Sequence, residues 1–234
     1  MLDRQNLVLV PGLVCDAAVW RHQAVHLREV AEVSVPAATE GETMADMARA
    51  VLDAAPSTFA LAGFSMGGYV ALEVLRQAPE RVTRLALLDT TARADTPQKE
   101  AARRATVAAC ERGEFSNVID DMIQVLLHPD RQQTPLAQVV RDMAARVGAE
   151  TFVRRNRAIA TRADSRELLR AAKLPVRAIC GREDAMISVA EHVEISGLAA
   201  RGRMSVIEQC GHMTVLERPQ ATTALLRDWL LYDA

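Results

Sequence analysis

Gly63-Phe64-Ser65-Met66-Gly67-Gly68 sets a serine between glycines in the pattern G-x-S-x-G. An apolar run over residues 58–62 precedes it, and a helix-like stretch over 69–76 follows. Strand, tight turn and helix in that order lift a hydroxyl to the apex of the turn, where it can act as a nucleophile. The glycines have a steric reason: a side chain at 63 or 67 would collide with the neighbouring strand or helix, and the turn holds the serine in a strained conformation. The helix starting behind it directs N–H dipoles to where negative charge would develop.

A serine hydroxyl needs a base to take its proton and a third group to orient that base. Among the five histidines, His212 is the candidate base. It follows Gln209-Cys210-Gly211, just after the last expected strand, and Gly211 lets the loop bend back toward the sheet edge. His22 and His26 are spaced i, i+4 but lack a third ligand, so they read as exposed helix side chains and no metal is expected. His128 reads as structural, with substrate contact as the other option, and His192 as a surface residue in mid-helix. The orienting acid should follow an intermediate strand. Asp184, in Gly181-Arg182-Glu183-Asp184, is favoured, with Glu183 beside it as the neighbouring option. Asp89, at the end of residues 85–88, is the alternative acid, or else a turn or cap residue beside Thr90 and Thr91. An oxyanion would be held by the backbone N–H groups of Met66 and of Leu13, the latter following Pro11-Gly12.

These residues require a scaffold, and the chain supplies alternating elements. Strand-like runs fall at residues 7–10, 32–35, 58–62, 85–88, 176–180 and 205–208; helices fit 18–30, 43–54, 69–78, 190–198 and 220–231. Nearly continuous apolar strands between helices imply an α/β fold with a parallel sheet covered on both faces. Ligands in such sheets bind beyond the carboxyl ends of the strands, where Ser65 falls. Alternation stops after residue 88. Residues 96–173 read as helices only, rich in Ala and Arg, with breaks at Pro129, Pro135 and Gly148. The expected organisation is a core over 1–92, a helical lid over 93–174 and the rest of the core over 175–234.

Composition bounds the alternatives. The chain has 234 residues, 50% hydrophobic and 25% charged, with a net charge of −2. It is long enough to bury a large core, and its charge argues against nucleic acid or an acidic membrane as partner. No run reaches transmembrane length, and the first strand begins near the start of the chain, so a cytoplasmic protein is expected. Cys15, Cys110, Cys180 and Cys210 form no metal-binding spacing and read as free, mostly buried thiols.

The order Ser65, Asp184, His212, with the glycine-flanked serine and Gly211-His212, resembles the α/β-hydrolase superfamily from residue 7 to the end. The resemblance implies the α/β-hydrolase fold, with a mostly parallel sheet, and a small single-domain member with a helical lid. It further implies a serine hydrolase that cleaves small carboxylic esters through an acyl-enzyme without a cofactor. Three departures stand out: the family's usual first strands are absent, Pro11-Gly12 replaces the usual His-Gly, and residues 36–41 replace an aspartate- and glycine-rich loop. The alternatives are a triad-dependent lyase or C–C hydrolase, and a non-catalytic small-ligand-binding module on the same fold. Aromatics are only 3% of the chain, so an aliphatic pocket is expected. Its candidate walls are Leu13, Met66, Met122, Leu126 and Phe152, with core packing as the competing role of the lid residues. Arg154, Arg155 and Arg157 read as a solvated face or as partners of a substrate carboxylate. No oligomeric state is implied.

Overall fold

The computed structural model describes residues 4–36 and 41–233. Residues 37–40, most of the loop that departs from the family pattern, lie outside them. Six strands form one sheet among the described residues: β1 (Gln5–Val10), β2 (Ala31–Ser34), β3 (Phe59–Phe64), β4 (Val82–Leu88), β5 (Val176–Gly181) and β6 (Gly202–Ile207). Their order is β2-β1-β3-β4-β5-β6, and every neighbouring pair is parallel. β3 and β5 are buried at every position, which is why they read as continuous rather than alternating apolar runs. The edge strand β2 is short, with Glu32 and Ser34 exposed and Glu32 paired to Arg4. A short, charged edge resists pairing with another chain.

The strand side chains alternate between two apolar layers. Leu7, Leu9, Ala62, Phe64 and Leu88 point to one face, where they share a core with Val19, Trp20 and Leu27, which flank α1 (Arg21–His26), and with Trp229 of α10 (Pro219–Tyr232). Val8, Val10, Leu61, Leu85 and Leu87 point to the other. That face is covered by α2 (Met44–Ala54), α3 (Met66–Gln77), α7 (Arg166–Ala171) and α8 (Val189–Leu198). Between β4 and β5 the chain carries helices only: α4 (Pro97–Glu111), α5 (Phe115–Leu126), α6 (Pro135–Ile159) and α7. α9 (Thr214–Glu217) completes the set. Thr96 and Thr134 cap α4 and α6 ahead of Pro97 and Pro135, and of the expected breaks Pro129 starts a 3₁₀ turn and Pro135 starts α6. Gly148 kinks α6 at φ 76°.

Several boundaries differ from the sequence reading. The helix expected over 18–30 is a 3₁₀ turn (Ala17–Trp20) followed by α1, with Asp16 capping the turn. α3 begins at Met66, directly after the serine, and β6 starts earlier than expected. No helix among the described residues is long and apolar enough to cross a membrane.

Candidate active site

Ser65 sits between β3 and α3 with φ 55° and ψ −118°, a left-handed conformation costly for a side-chain-bearing residue. The surroundings enforce it. Ser65 N–H donates to the Leu88 carbonyl at 2.9 Å, and the Ser65 carbonyl accepts Gly68 N–H at 2.9 Å and the Thr90 hydroxyl at 2.9 Å. A Cβ at Gly67 would lie 2.1 Å from the Val10 carbonyl oxygen, and one at Gly63 would lie 2.2 Å from that of Gly67. The glycines therefore let β1, β3 and α3 converge behind the serine.

His212 enters from the loop after β6. Its Nε2 lies 2.9 Å from Ser65 Oγ, and its Nδ1 lies 2.8 Å from Asp184 Oδ2. Asp184 Oδ1 accepts the N–H groups of Met186 at 2.8 Å and Ile187 at 3.0 Å, which fixes the carboxylate in the turn after β5. Burial disfavours charge on both members of the pair. Their mutual attraction and hydrogen bond outweigh it, so the His212 pKa is raised and the Asp184 pKa lowered. The imidazole is thus held with Nδ1–H toward Asp184 and Nε2 free to accept from Ser65.

Asp89 and Glu183 are also near, but neither bonds to the imidazole. Glu183 Oε2 accepts Cys210 N–H at 2.9 Å. Asp89, fully buried at φ 49°, accepts Gly181 N–H at 3.1 Å through Oδ1 and pairs with the Thr214 hydroxyl through Oδ2. It ties the ends of β4 and β5 to the start of α9. Burial, reinforced by the Asp184 charge, pushes its pKa well up.

Two residues placed on the surface by the sequence reading are inside. His192 is fully buried; its Nδ1 is 3.1 Å from the Ser188 carbonyl and its Nε2 accepts Thr90 N–H at 3.0 Å. That bond sets the residue whose hydroxyl holds Ser65, and burial keeps the ring neutral by lowering its pKa. Arg155 is 3% exposed and reaches from α6 to the loop after β1. Its Nη1 donates to the carbonyls of Leu13 at 2.5 Å and Cys15 at 3.1 Å. Arg157 instead pairs with Glu111 on the exposed side of the helices, and Arg154 and Arg157 line a separate surface groove.

The loop that Arg155 holds abuts the serine: a Cβ at Gly12 would stand 3.3 Å from Ser65 Cβ. Leu13 and Met66 line a cavity of about 60 Å³ together with Ser65, His212, Met122 and Leu126. Phe152 does not reach it. It is buried in the core with Phe115, ring centroids 5.4 Å apart. All four cysteines are buried and free, and burial pushes the Cys15 thiol up to about 12. His22 bonds Thr223, and His128 accepts Asp130 N–H. No cluster of three His, Cys, Asp or Glu side chains among the described residues could hold a metal ion.

A model of the alpha/beta hydrolase fold matches residues 5–219. The chain is 27% identical over 219 residues to a pimeloyl-(acyl-carrier protein) methyl ester esterase of Neisseria meningitidis, covering 91% of this chain and 84% of that one. It is 25% identical over 252 residues to a protein of the same name from Aromatoleum aromaticum, covering 97% and 98%. A thermophilic esterase from Thermogutta terrifontis, solved with malate bound, superposes with a TM-score of 0.89 at 26% identity, covering 98% of this chain and 90% of that one.

Proposed function

The chain belongs to the alpha/beta hydrolase fold family, and from that membership we propose that it hydrolyses small carboxylic esters with Ser65 as nucleophile, His212 as base and Asp184 as orienting acid. The observation that carries this reading is the unbroken relay from Asp184 to His212 at 2.8 Å and from His212 to Ser65 at 2.9 Å. The esterase names of its relatives support the bond type.

The geometry supports the following steps. His212 Nε2 takes the proton of Ser65 Oγ as the oxygen attacks the ester carbonyl. The new oxyanion accepts hydrogen bonds from the N–H groups of Leu13 and Met66. Met66 is the first residue of α3, so its N–H has no partner within the helix. Asp184 stabilises the imidazolium. His212 then gives the proton to the departing alcohol, leaving an acyl group on Ser65. Water, deprotonated by the same Nε2, attacks that acyl group, and the acid leaves as Ser65 regains its proton. The helices α4–α7 act as a lid whose Met122 and Leu126 wall the cavity. A cavity of about 60 Å³ walled largely by aliphatic and thioether side chains suits a short acyl or alcohol group.

Intact-mass labelling with a fluorophosphonate tests the nucleophile. One adduct on the wild type and none on Ser65→Ala is the expected result. An adduct that persists on Ser65→Ala would overturn the assignment.

A further inference from the structure

Ser65 and His212 share their cavity with one guanidinium. Arg103, on α4, lines it beside Tyr69, and none of the lining residues is acidic. The bonding of Arg103 leaves it with a donor to spare. Nε donates to Asp95 Oδ2 at 3.0 Å and Nη1 to Asn156 Oδ1 at 2.9 Å, while Nη2 bonds to none of the described residues.

The charge around it is also unbalanced. Asp95 serves two guanidinium groups at once, since its Oδ1 accepts Arg162 Nη2 at 2.7 Å. Arg162 in turn lies over the Tyr69 ring, 4.1 Å from its centroid, and its Nη1 is buried without a hydrogen-bond partner. The set Arg103, Arg162 and Asp95 therefore carries one net positive charge. Two members of the set are withdrawn from solvent, the side chains of Asp95 and Arg162 being 3% and 6% exposed, while that of Arg103 is 19% exposed. The other acids nearby have their own cations: Glu191 pairs with Lys99 at 3.7 Å, Glu100 with Arg104 at 3.6 Å and Glu111 with Arg157 at 2.6 Å. An excess cation against an apolar cavity attracts an anion far more strongly than the same cation in water.

We propose that Arg103, with the Tyr69 hydroxyl beside it, forms an anion subsite of the ester cavity, and that the substrate is an ester carrying a second, ionised carboxylate a few bonds from the scissile carbonyl. The inference rests on the ester-hydrolase reading above. One carboxylate oxygen would accept from Arg103 Nη2 and the other from the Tyr69 hydroxyl. Burial raises the Tyr69 pKa, so the phenol stays protonated and donates. Arg155 and Arg157 cannot fill this role, because their donors are turned to the loop carbonyls and to Glu111.

The test compares esters of equal length with and without the charge: monomethyl glutarate against methyl pentanoate, and carboxymethyl acetate against ethyl acetate. The wild type is expected to prefer the anionic member of at least one pair by about tenfold or more in kcat/KM. In Arg103→Met that ratio should fall toward one, and Arg103→Lys should retain part of it. Arg103 also braces Asp95 and Asn156, so a second measurement uses the wild type alone: glutarate should protect Ser65 from fluorophosphonate labelling at concentrations where pentanamide does not. Equal hydrolysis of both members of both pairs, or equal protection by glutarate and pentanamide, overturns the subsite and leaves the hydrolase reading standing. Absence of both ester turnover and a Ser65 adduct removes the two together.

Discussion

The main-chain N–H of His212 donates to the carbonyl oxygen of Leu126 at 3.1 Å. The loop carrying His212 is thus fastened to the last residue of α5. Glu217 adds to the joint. Its carboxylate accepts His128 N–H at 2.9 Å, Arg131 Nη1 at 3.2 Å and Met213 N–H at 3.3 Å. Gly211 permits this approach, since a Cβ there would lie 2.5 Å from His128 N.

Glu217→Ala should therefore damage stability and catalysis together. It removes a fully buried carboxylate from its cation and two amides, and loss of a partner at such a site costs about 3 kcal/mol. Urea unfolding should show that loss. Turnover should fall even where the variant remains folded, because the His212 loop loses its brace.

The pH profile should carry the mark of the imidazole. Burial alone would lower the His212 pKa below its ordinary 6.5, but the Asp184 charge and hydrogen bond outweigh it and raise it. Catalysis needs the neutral ring, so kcat/KM should rise with pH through a midpoint above 6.5. In Asp184→Asn the raising charge is gone. The midpoint should move down, and kcat should fall by about 10⁴-fold as the ring loses its orientation. A titration of ester hydrolysis on both proteins checks the sign.

Arg155→Met tests how the loop carrying Leu13 is held. Three carbonyls in that loop, those of Gly12, Leu13 and Cys15, face the Arg155 guanidinium. Without it the Leu13 N–H should lose its aim at the oxyanion. The expected result is a fall of about 10²-fold in kcat with a smaller change in KM, as for loss of an oxyanion donor. An unchanged kcat in the folded variant would count against Leu13 as a donor.

Backbone strain at the serine should be measurable as stability. Ser65→Gly removes the side chain that makes φ 55° costly, so it should be inactive yet about 1 kcal/mol more stable than Ser65→Ala. Two glycines make the contrast. Gly67→Ala forces a Cβ against the Val10 carbonyl and should fail to fold or melt far lower. Gly197→Ala, exposed in α8 with nothing within 4 Å, should gain about 1 kcal/mol from helix propensity.

Much of the fold and the candidate site was legible because it is written in local patterns. Continuous apolar runs mark β3 and β5, and the glycine-flanked serine is a short local motif, although only Gly63 owes its glycine to a sequence neighbour while Gly67 answers to Val10 on another strand. His212 and Asp184 each follow a strand, and a parallel sheet brings such ends together. What escaped depends on partners distant in the chain. Arg155 lies in an Arg-rich helix that resembles a solvated face, and only the fold sets the loop after β1 above it. His192 left a faint signal: with Ile195 and Ala199 it forms an inward stripe at helical spacing, yet its partner Thr90 lies 102 positions away. Phe152 was read toward the cavity because its apolar character suits a wall as well as a core. Arg103 lies in the charge-rich run Lys99-Glu100-Ala101-Ala102-Arg103-Arg104, which has the pattern of a solvated helix face, yet α4 turns it toward the serine's cavity.

The bond from His212 to Leu126 bears on how this scaffold can be re-engineered. A designer exchanging α4–α7 for the corresponding helices of another hydrolase would not simply be changing the walls of the cavity beside Ser65. The graft would also have to present a carbonyl where Leu126 does and reproduce the Glu217 contacts. Replacement helices lacking them would leave His212 on a less firmly held loop, so these helices cannot be swapped as an independent cassette.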